Sequence, residues 1–267
     1  MYDTTTFDNT KESEDPICGM AVSEQLLIVG RESGVLRRFT LPHITEEAKL
    51  FWKPLPIIIG INCDCTRLAL VDISGVLNIL EINAQGGNVL EFEKKEVWSL
   101  KWSGDHPFQL AFMEKSKLTT VNNVSVGPQI STDAYICSFS NLKVVYCYLD
   151  DIMLSPDENL KFDELFNEHD SALMEQFNET LKKEGVTKAI QFVEENDHPS
   201  LWKILAEKSL LDLDYLTAEK ALLKVDDYKT IKFLKKVQQL DDREKQKAEI
   251  LILYGRYEAA ENIYRNL

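Results

Sequence analysis

No stretch of this sequence comes near the roughly 20 consecutive apolar residues that a membrane-spanning helix needs, so no transmembrane segment is expected. The first sixteen residues, MYDTTTFDNTKESEDP, have neither the basic start and apolar core of a signal peptide nor the arginine-rich character of a transit peptide. They read as an acidic leader or loop. Basic side chains are in deficit: 30 Lys and Arg face 44 Asp and Glu, for a net charge of −14. The deficit is spread over both halves, with 13 positive and 19 negative groups in residues 1–150 and 17 and 25 in the remainder. A chain this acidic, with no basic stripe, is a poor partner for nucleic acid or anionic lipid by itself.

Cysteine is also sparse. Cys18, Cys63, Cys65, Cys137 and Cys147 are odd in number and include no Cys-x-x-Cys pair. Cys63 and Cys65 would lie on one face of a strand, which is a thin metal signal, so all five read as ordinary half-buried thiols of a reducing compartment. The four histidines, His43, His106, His169 and His198, are scattered, and none pairs with Cys or Asp at ligand spacing. Asp64, Asp72 and Glu81 give no convergent carboxylate pair. A Gly-x-Ser-x-Gly elbow and a glycine-rich phosphate loop are both missing; Gly86-Gly87 reads as a loop. No catalytic residue, cofactor or metal site is therefore expected.

What is present is a soluble globular composition, 44% hydrophobic and 28% charged, over 267 residues, enough for one large domain or two ordinary ones. A repeat dominates the first half. Ser33-Gly34-Val35-Leu36 recurs as Ser74-Gly75-Val76-Leu77, forty-one residues on, and the same shift carries Gly19 onto Gly60 and Val29 onto Leu70. A weaker third copy, VWSLKWSGDHPFQLAFMEKSKLTTV, spans 97–121, with its turn one residue late. Each unit alternates β-rich runs of five to eight residues with Gly, Ser, Asp or Pro, which predicts several strands per unit. A repeat of this length and content is the blade of a β-propeller. Ser33-Gly34 and Ser74-Gly75 are then the tight hairpin turns between inner strands, where glycine accepts a positive φ. The Gly-His and Trp-Asp signatures of standard WD repeats are absent, so the propeller is degenerate. Residues 17–149 supply about three blades, fewer than the four or more that close a ring, which predicts upstream blades.

After residue 150 the period changes. LDDIMLSPDENLKF reads as a hinge, with Ser155-Pro156 as a turn or helix start. From Glu164 the apolar residues recur at three and four: Leu173, Phe177, Leu181, then Ala189, Ile190, Val193. Gly185 splits that run, and Pro199 opens the next helix. Trp202, Leu205, small Ala206, Ala218 and Leu222 follow the spacing of a tetratricopeptide helical pair, in which small residues let two helices approach closely. Gly255, Tyr257, Ala260 and Tyr264 form a partial second copy, with 227–240 as one more helix between. All nine are expected to pack the solenoid interior. The array stops without a polar capping helix, which points to a longer array. Lys232, Lys235, Lys236, Lys245 and Lys247, beside DDREK, read as a solvated face with internal pairing.

The expected fold is therefore β + α in two regions: a partial degenerate WD-type β-propeller of about three blades, then a tetratricopeptide-like α-solenoid. The expected boundaries are 1–16 for the leader, 17–150 for the blades, 151–163 for the hinge and 164–267 for the helical array.

The sequence itself resembles a family with this order. DPICGMAVSEQLLIVGRESGVLRRFTLP, LALVDISGVL, EVWSLKWSGDHPFQLAFMEKSKL and AYICSFSNLKV together resemble the second propeller of the WD repeat-containing protein 35 family, the intraflagellar transport 121 homologues. FVEENDHPSLWKILAE, LDYLTAEKAL, DYKTIKF and YGRYEAAENIY continue the likeness through the helical half. The likeness runs from about residue 15 to the end and covers only the middle of that longer family; residues 1–14 match nothing in it. It implies a non-enzymatic scaffold subunit of intraflagellar transport complex A, in the cytoplasm, the cilium and the ciliary base. Its implied work is retrograde transport and the admission of ciliary membrane cargo. Other complex A WD-solenoid subunits would pair through residues 160–267, and cargo would meet the propeller. The rival of like architecture is a coatomer-like vesicle-coat subunit, told apart by the proteins it associates with. An enzyme with a propeller active site would need acidic or histidine residues converging on the central channel, and no such set is apparent.

Overall fold

A computed structural model describes residues 15–83, 86–154 and 165–266 of the chain. Residues 1–14 of the expected leader, Ser155-Pro156 and most of the expected hinge, and Leu267 lie outside the described residues. The chain divides into two compact units, residues 1–173 and 174–267.

The first unit is built of antiparallel sheets in chain order. Blade one holds β1 (Ile17–Val22), β2 (Leu26–Arg31), β3 (Val35–Thr40) and β4 (Thr45–Phe51). Blade two holds β5 (Pro56–Ile61), β6 (Arg67–Asp72), β7 (Leu77–Asn83) and β8 (Gly86–Lys94), and blade three β9 (Val97–Trp102), β10 (Gln109–Glu114), β11 (Lys117–Asn122) and β12 (Ser125–Ser131). A fourth sheet has three strands, β13 (Tyr135–Ser140), β14 (Lys143–Cys147) and β15 (Phe166–Asp170). A short helix, α1 (Leu149–Leu154), follows β14.

Burial follows position within the blade. Every residue of β6 is buried and almost every residue of β2 and β10, while β4 and β12 are largely exposed. In blades two and three the second strand is covered on both faces by its neighbours, β6 by blades one and three and β10 by blade two and the fourth sheet, so it reads as a continuous apolar run rather than an alternating one. Ile28 and Leu36 meet Leu68 and Leu70 between blades one and two, Val71 and Ile79 meet Leu110 and Phe112 between two and three, and Ala111 and Met113 meet Phe139 and Val144 between three and four.

The repeated glycines of the first strands explain the close approach. A Cβ on Gly60 would lie 2.7 Å from Leu100 Cδ1, and one on Gly19 would lie 3.2 Å from Ile59 Cδ1. Ile59 and Leu100 are themselves forty-one residues apart. Each glycine thus leaves the space that an aliphatic side chain of the next blade fills.

Two local expectations differ from the structure. Gly86 and Gly87 open strand β8, paired with Asn83 and Ile82, rather than forming a loop. The helical recurrence expected from Glu164 starts instead at Ala172, because Phe166–Asp170 is strand β15 on the edge of β14. The segment FNEHD has little β propensity of its own; the free edge of β14 and the 2.7 Å Lys143–Glu168 ion pair give it a partner.

Seven helices are described in the array: α2 (Ala172–Glu184), α3 (Val186–Glu195), α4 (Pro199–Leu211), α5 (Tyr215–Lys224), α6 (Tyr228–Val237), α7 (Arg243–Leu253) and α8 (Tyr257–Asn266). Gly185, at φ 81°, separates α2 from α3. Pro199 takes the first turn of α4, where its missing N–H costs nothing, and His198 caps the helix by accepting from Ser200 N–H at 3.1 Å. Asp214, Asp227 and Asp242 cap α5, α6 and α7 in the same sense.

Candidate interaction surfaces

The two Ser-Gly pairs occupy equivalent hairpins. Gly34 joins β2 to β3 at φ 86° and Gly75 joins β6 to β7 at φ 76°. Each serine is held by an aspartate, but not an equivalent one. Ser33 N–H and Oγ–H donate to the two carboxylate oxygens of Asp15, at 2.8 and 2.7 Å, whereas Ser74 N–H donates to Asp72 Oδ1 at 2.7 Å. Both glycine carbonyls accept from a neighbouring segment: Gly34 from Trp52 N–H at 2.7 Å and Gly75 from Val97 N–H at 2.9 Å. These turns thus tie blade one to the link that follows it and blade two to the first strand of blade three.

The rim between blades two and three carries a polar seam that the repeat pattern did not reveal. Asn62 Nδ2 donates to Pro107 O at 2.9 Å, and Trp102 Nε1 donates to Gly60 O at 3.0 Å. Arg67 reaches Glu81 Oε1 at 2.9 Å and Asn123 Oδ1 at 2.7 Å, with its guanidinium 4.5 Å from the centre of the Phe108 ring. The cleft beside it has a volume of about 350 Å³. With its charge paired to Glu81 and its guanidinium over the Phe108 ring, Arg67 joins two blades.

In the helical unit, Trp202, Leu205, Ala206, Ala218, Leu222 and Ala260 are all buried. Trp202 Nε1 donates to Asp197, and Lys224 Nζ lies 5.8 Å from its ring. Three of the residues expected in the interior are elsewhere. Tyr257 is 67% exposed and Tyr264 41% exposed, with its hydroxyl donating to Glu249 at 2.8 Å. Helical spacing gives the interval between side chains but not the face that is covered, and these two rings lie on an open face of α8. Gly255 is exposed, at φ 70°, and ends α7: Arg256 N–H closes back on Leu251 O at 2.9 Å. Positive φ, not packing, explains a glycine there.

A groove of about 840 Å³ runs over α4, the ends of α5 and α7, and the start of α6. Ile204, Leu222, Val225, Leu253 and Tyr254 line it, with Lys203, Glu207 and Asp226 among the charged residues. Burial pushes the Tyr254 phenol up to about 12, with Glu207 and Asp227 adding to the shift, so Tyr254 stays neutral. Lys232, Lys235, Lys236, Lys245 and Lys247 are exposed; Lys235 pairs with Glu219 of α5 at 3.8 Å.

Among the described residues no group of three or more His, Cys, Asp or Glu is placed to hold a metal ion, and no helix is long and apolar enough to cross a membrane. Cys63 and Cys65 lie in the turn between β5 and β6 rather than on a strand face. Asp64 accepts from Thr66 N–H and Oγ–H at 3.1 and 2.7 Å, which bends the chain, and Cys65 takes φ 63°.

With the blades and array in view, comparison with known proteins becomes specific. Residues 2–166 match the family described as the WDR35 second beta-propeller, so the match takes in residues 2–14, which the likeness read from the sequence had left out. The chain belongs to that family. Residues 201–266 match the IFT80/172/WDR35/WDR19 TPR domain. WD repeat-containing protein 35 of Rattus norvegicus is 35% identical over 273 residues, covering 98% of this chain and 23% of that protein. The protein of the same name from Homo sapiens is 36% identical over 261 residues, covering 94% and 22%. The chain thus spans about a quarter of the length of these relatives. Among solved structures, Sqt1 of Saccharomyces cerevisiae aligns at 14% identity with a TM-score of 0.40, over 51% of this chain and 43% of that one, and adds nothing to the assignment.

Proposed function

We propose that the chain is part of a non-enzymatic scaffold subunit of intraflagellar transport complex A, supporting retrograde ciliary transport and the admission of ciliary membrane cargo through protein–protein contacts. In this reading residues 160–267 pair with another WD-solenoid subunit and the blades of residues 17–150 face cargo. Its places of action are the cytoplasm, the ciliary base and the cilium.

The observation that carries the reading is the order of two family matches in one chain, a WDR35-type propeller followed by a TPR domain shared with IFT80, IFT172 and WDR19. Physical features support it. A helical array buries its core only between successive helices and leaves a long surface for another chain. Leu216, Leu223, Tyr228 and Tyr257 expose apolar side chains on that array.

The test is affinity purification of the tagged full-length gene product from ciliated cells, beside a form deleted for residues 160–267. Recovery of the other complex A subunits with the full form, and their loss on deletion, is expected. Normal assembly of the deleted form overturns the pairing assignment. Recovery of Golgi coat subunits without ciliary proteins overturns the scaffold's identity in favour of a coatomer-like coat.

A further inference from the structure

The fold brings two of the five scattered cysteines into contact. Cys137 is on β13 and Cys147 ends β14, and their sulfurs lie 3.4 Å apart. The cause is a bulge. The β13–β14 ladder pairs Tyr135 with Cys147 and Ile136 with Tyr146, then shifts, so that Ser138 meets Val145 and Cys137 is the extra residue. A bulge re-aims the side chain of the inserted residue, here toward the diagonal thiol of the neighbouring strand. A disulfide has its sulfurs about 2.0 Å apart, so each need move only about 0.7 Å, within the reach of a side-chain rotation.

We propose that Cys137 and Cys147 are a redox-active dithiol that closes to a disulfide across β13 and β14 when a peroxide-class oxidant is present. Cys137 is half-buried and Cys147 buried, so oxidant meets Cys137 first. Its thiolate attacks one peroxide oxygen; the S–O bond forms, the O–O bond breaks, and water leaves. Cys147 then attacks the sulfenic sulfur of Cys137, the S–S bond forms, and the hydroxyl departs as a second water. One hydrogen peroxide is reduced to two waters while two thiols are oxidised to one disulfide.

A metal is a poorer occupant for the pair. Among the described residues no third His, Cys, Asp or Glu joins it, and two thiols alone leave the tetrahedral shell of a zinc ion half empty. Burial, with Cys147 alongside, pushes the Cys137 thiol up to about 11. The reduced pair therefore rests as protonated thiols, and its first step is slow, because the thiolate is the nucleophile. The bond would span the Asn141-Leu142 hairpin turn and fix β14, on whose other side Phe166 of β15 pairs with Cys147.

The full chain, purified under reductant, would be exposed to hydrogen peroxide in native buffer, its remaining thiols alkylated, and its peptides mapped by mass spectrometry. A peptide pair joined through Cys137 and Cys147, reversible by dithiothreitol, is expected, and in Cys147→Ser a sulfenic acid should instead be trapped at Cys137. Cys63 is the exposed comparator. Oxidation of Cys63 while Cys137 and Cys147 both stay open to alkylation overturns the proposal, as does a linked pair that forms only after the chain is unfolded. The mapping of the unaltered chain decides the matter even where the Cys147→Ser variant folds poorly.

Discussion

Gly34 and Gly75 hold the same place in two copies of one tetrapeptide, yet alanine should cost them different amounts. Both have positive φ, 86° and 76°, so an alanine at either carries the left-handed penalty of about 1–2 kcal/mol. At Gly75 that is nearly the whole cost, because the nearest atoms to a new Cβ are Glu96 Cα at 3.4 Å and Val97 O at 3.5 Å, ordinary contacts. At Gly34 the Cβ would stand 2.3 Å from Trp52 O. That carbonyl is backbone, and the Trp52 N–H is hydrogen-bonded to Gly34 O at 2.7 Å, so the segment cannot retreat without losing its tie to blade one. Overpacking of this kind adds about 1–3 kcal/mol. Gly34→Ala should therefore be less stable than Gly75→Ala by about 2 kcal/mol, or about 4–8 °C in the midpoint of a unit this size. Thermal and urea unfolding followed by tryptophan fluorescence would read it, since Trp52, Trp98 and Trp102, three of the four tryptophans, lie in the blade unit. Losses equal within about 0.5 kcal/mol, the usual scatter of a surface substitution, or a larger loss at Gly75, would refute the reasoning. Either would mean that the Trp52 carbonyl moves freely and that the two turns are interchangeable.

Two further outcomes concern the helical array. Trp202→Ala should cost about 3–5 kcal/mol, the range for removing a buried aromatic, whereas Tyr257→Ala should stay within about 0.5 kcal/mol; a large loss at Tyr257 in denaturant unfolding of the isolated chain would show that its ring is covered after all. The side-chain hydroxyl of Thr230, and then its N–H, donate to Asp227 and hold its carboxyl below the ordinary aspartate range. A lowered folded pKa means that the unfolded chain takes up its proton first. The stabilisation is therefore fully present above the ordinary aspartate range and is lost as pH falls through the lowered value. Asp227→Ala should cost about 1 kcal/mol at neutral pH, with the difference from the unaltered chain shrinking in acid; an NMR titration placing Asp227 at or above the ordinary range would refute the assignment.

Much of the architecture was legible because it rests on short-range rules. The forty-one-residue shift, the Ser-Gly turns, the break at Gly185 and the helix start at Pro199 each depend on a few neighbouring residues with restricted φ or a fixed apolar period. The motifs that resemble the WD repeat-containing protein 35 family run through both halves in one order, and the two family matches, over residues 2–166 and 201–266, take in most of them. The fourth sheet was harder to see. Its third strand, Phe166–Asp170, is polar and short, and only the edge of β14 makes it a strand. Gly86-Gly87 looked like a loop for a similar reason, since glycine carries no strand preference and the pairing to β7 decides.

The sequence by itself determined the two-part order, the blade period, the hairpin glycines and the small residues between paired helices, because each is written in local conformational preference. Tertiary structure alone decided what meets what. It brought Arg67 to Asn123 fifty-six residues away, put Cys137 beside Cys147 through a bulge, made Gly34 tighter than Gly75, and left Tyr257 and Tyr264 facing out where spacing had placed them inside. Contacts of that kind are set by which surfaces face each other after folding, and no periodicity along one segment contains that information.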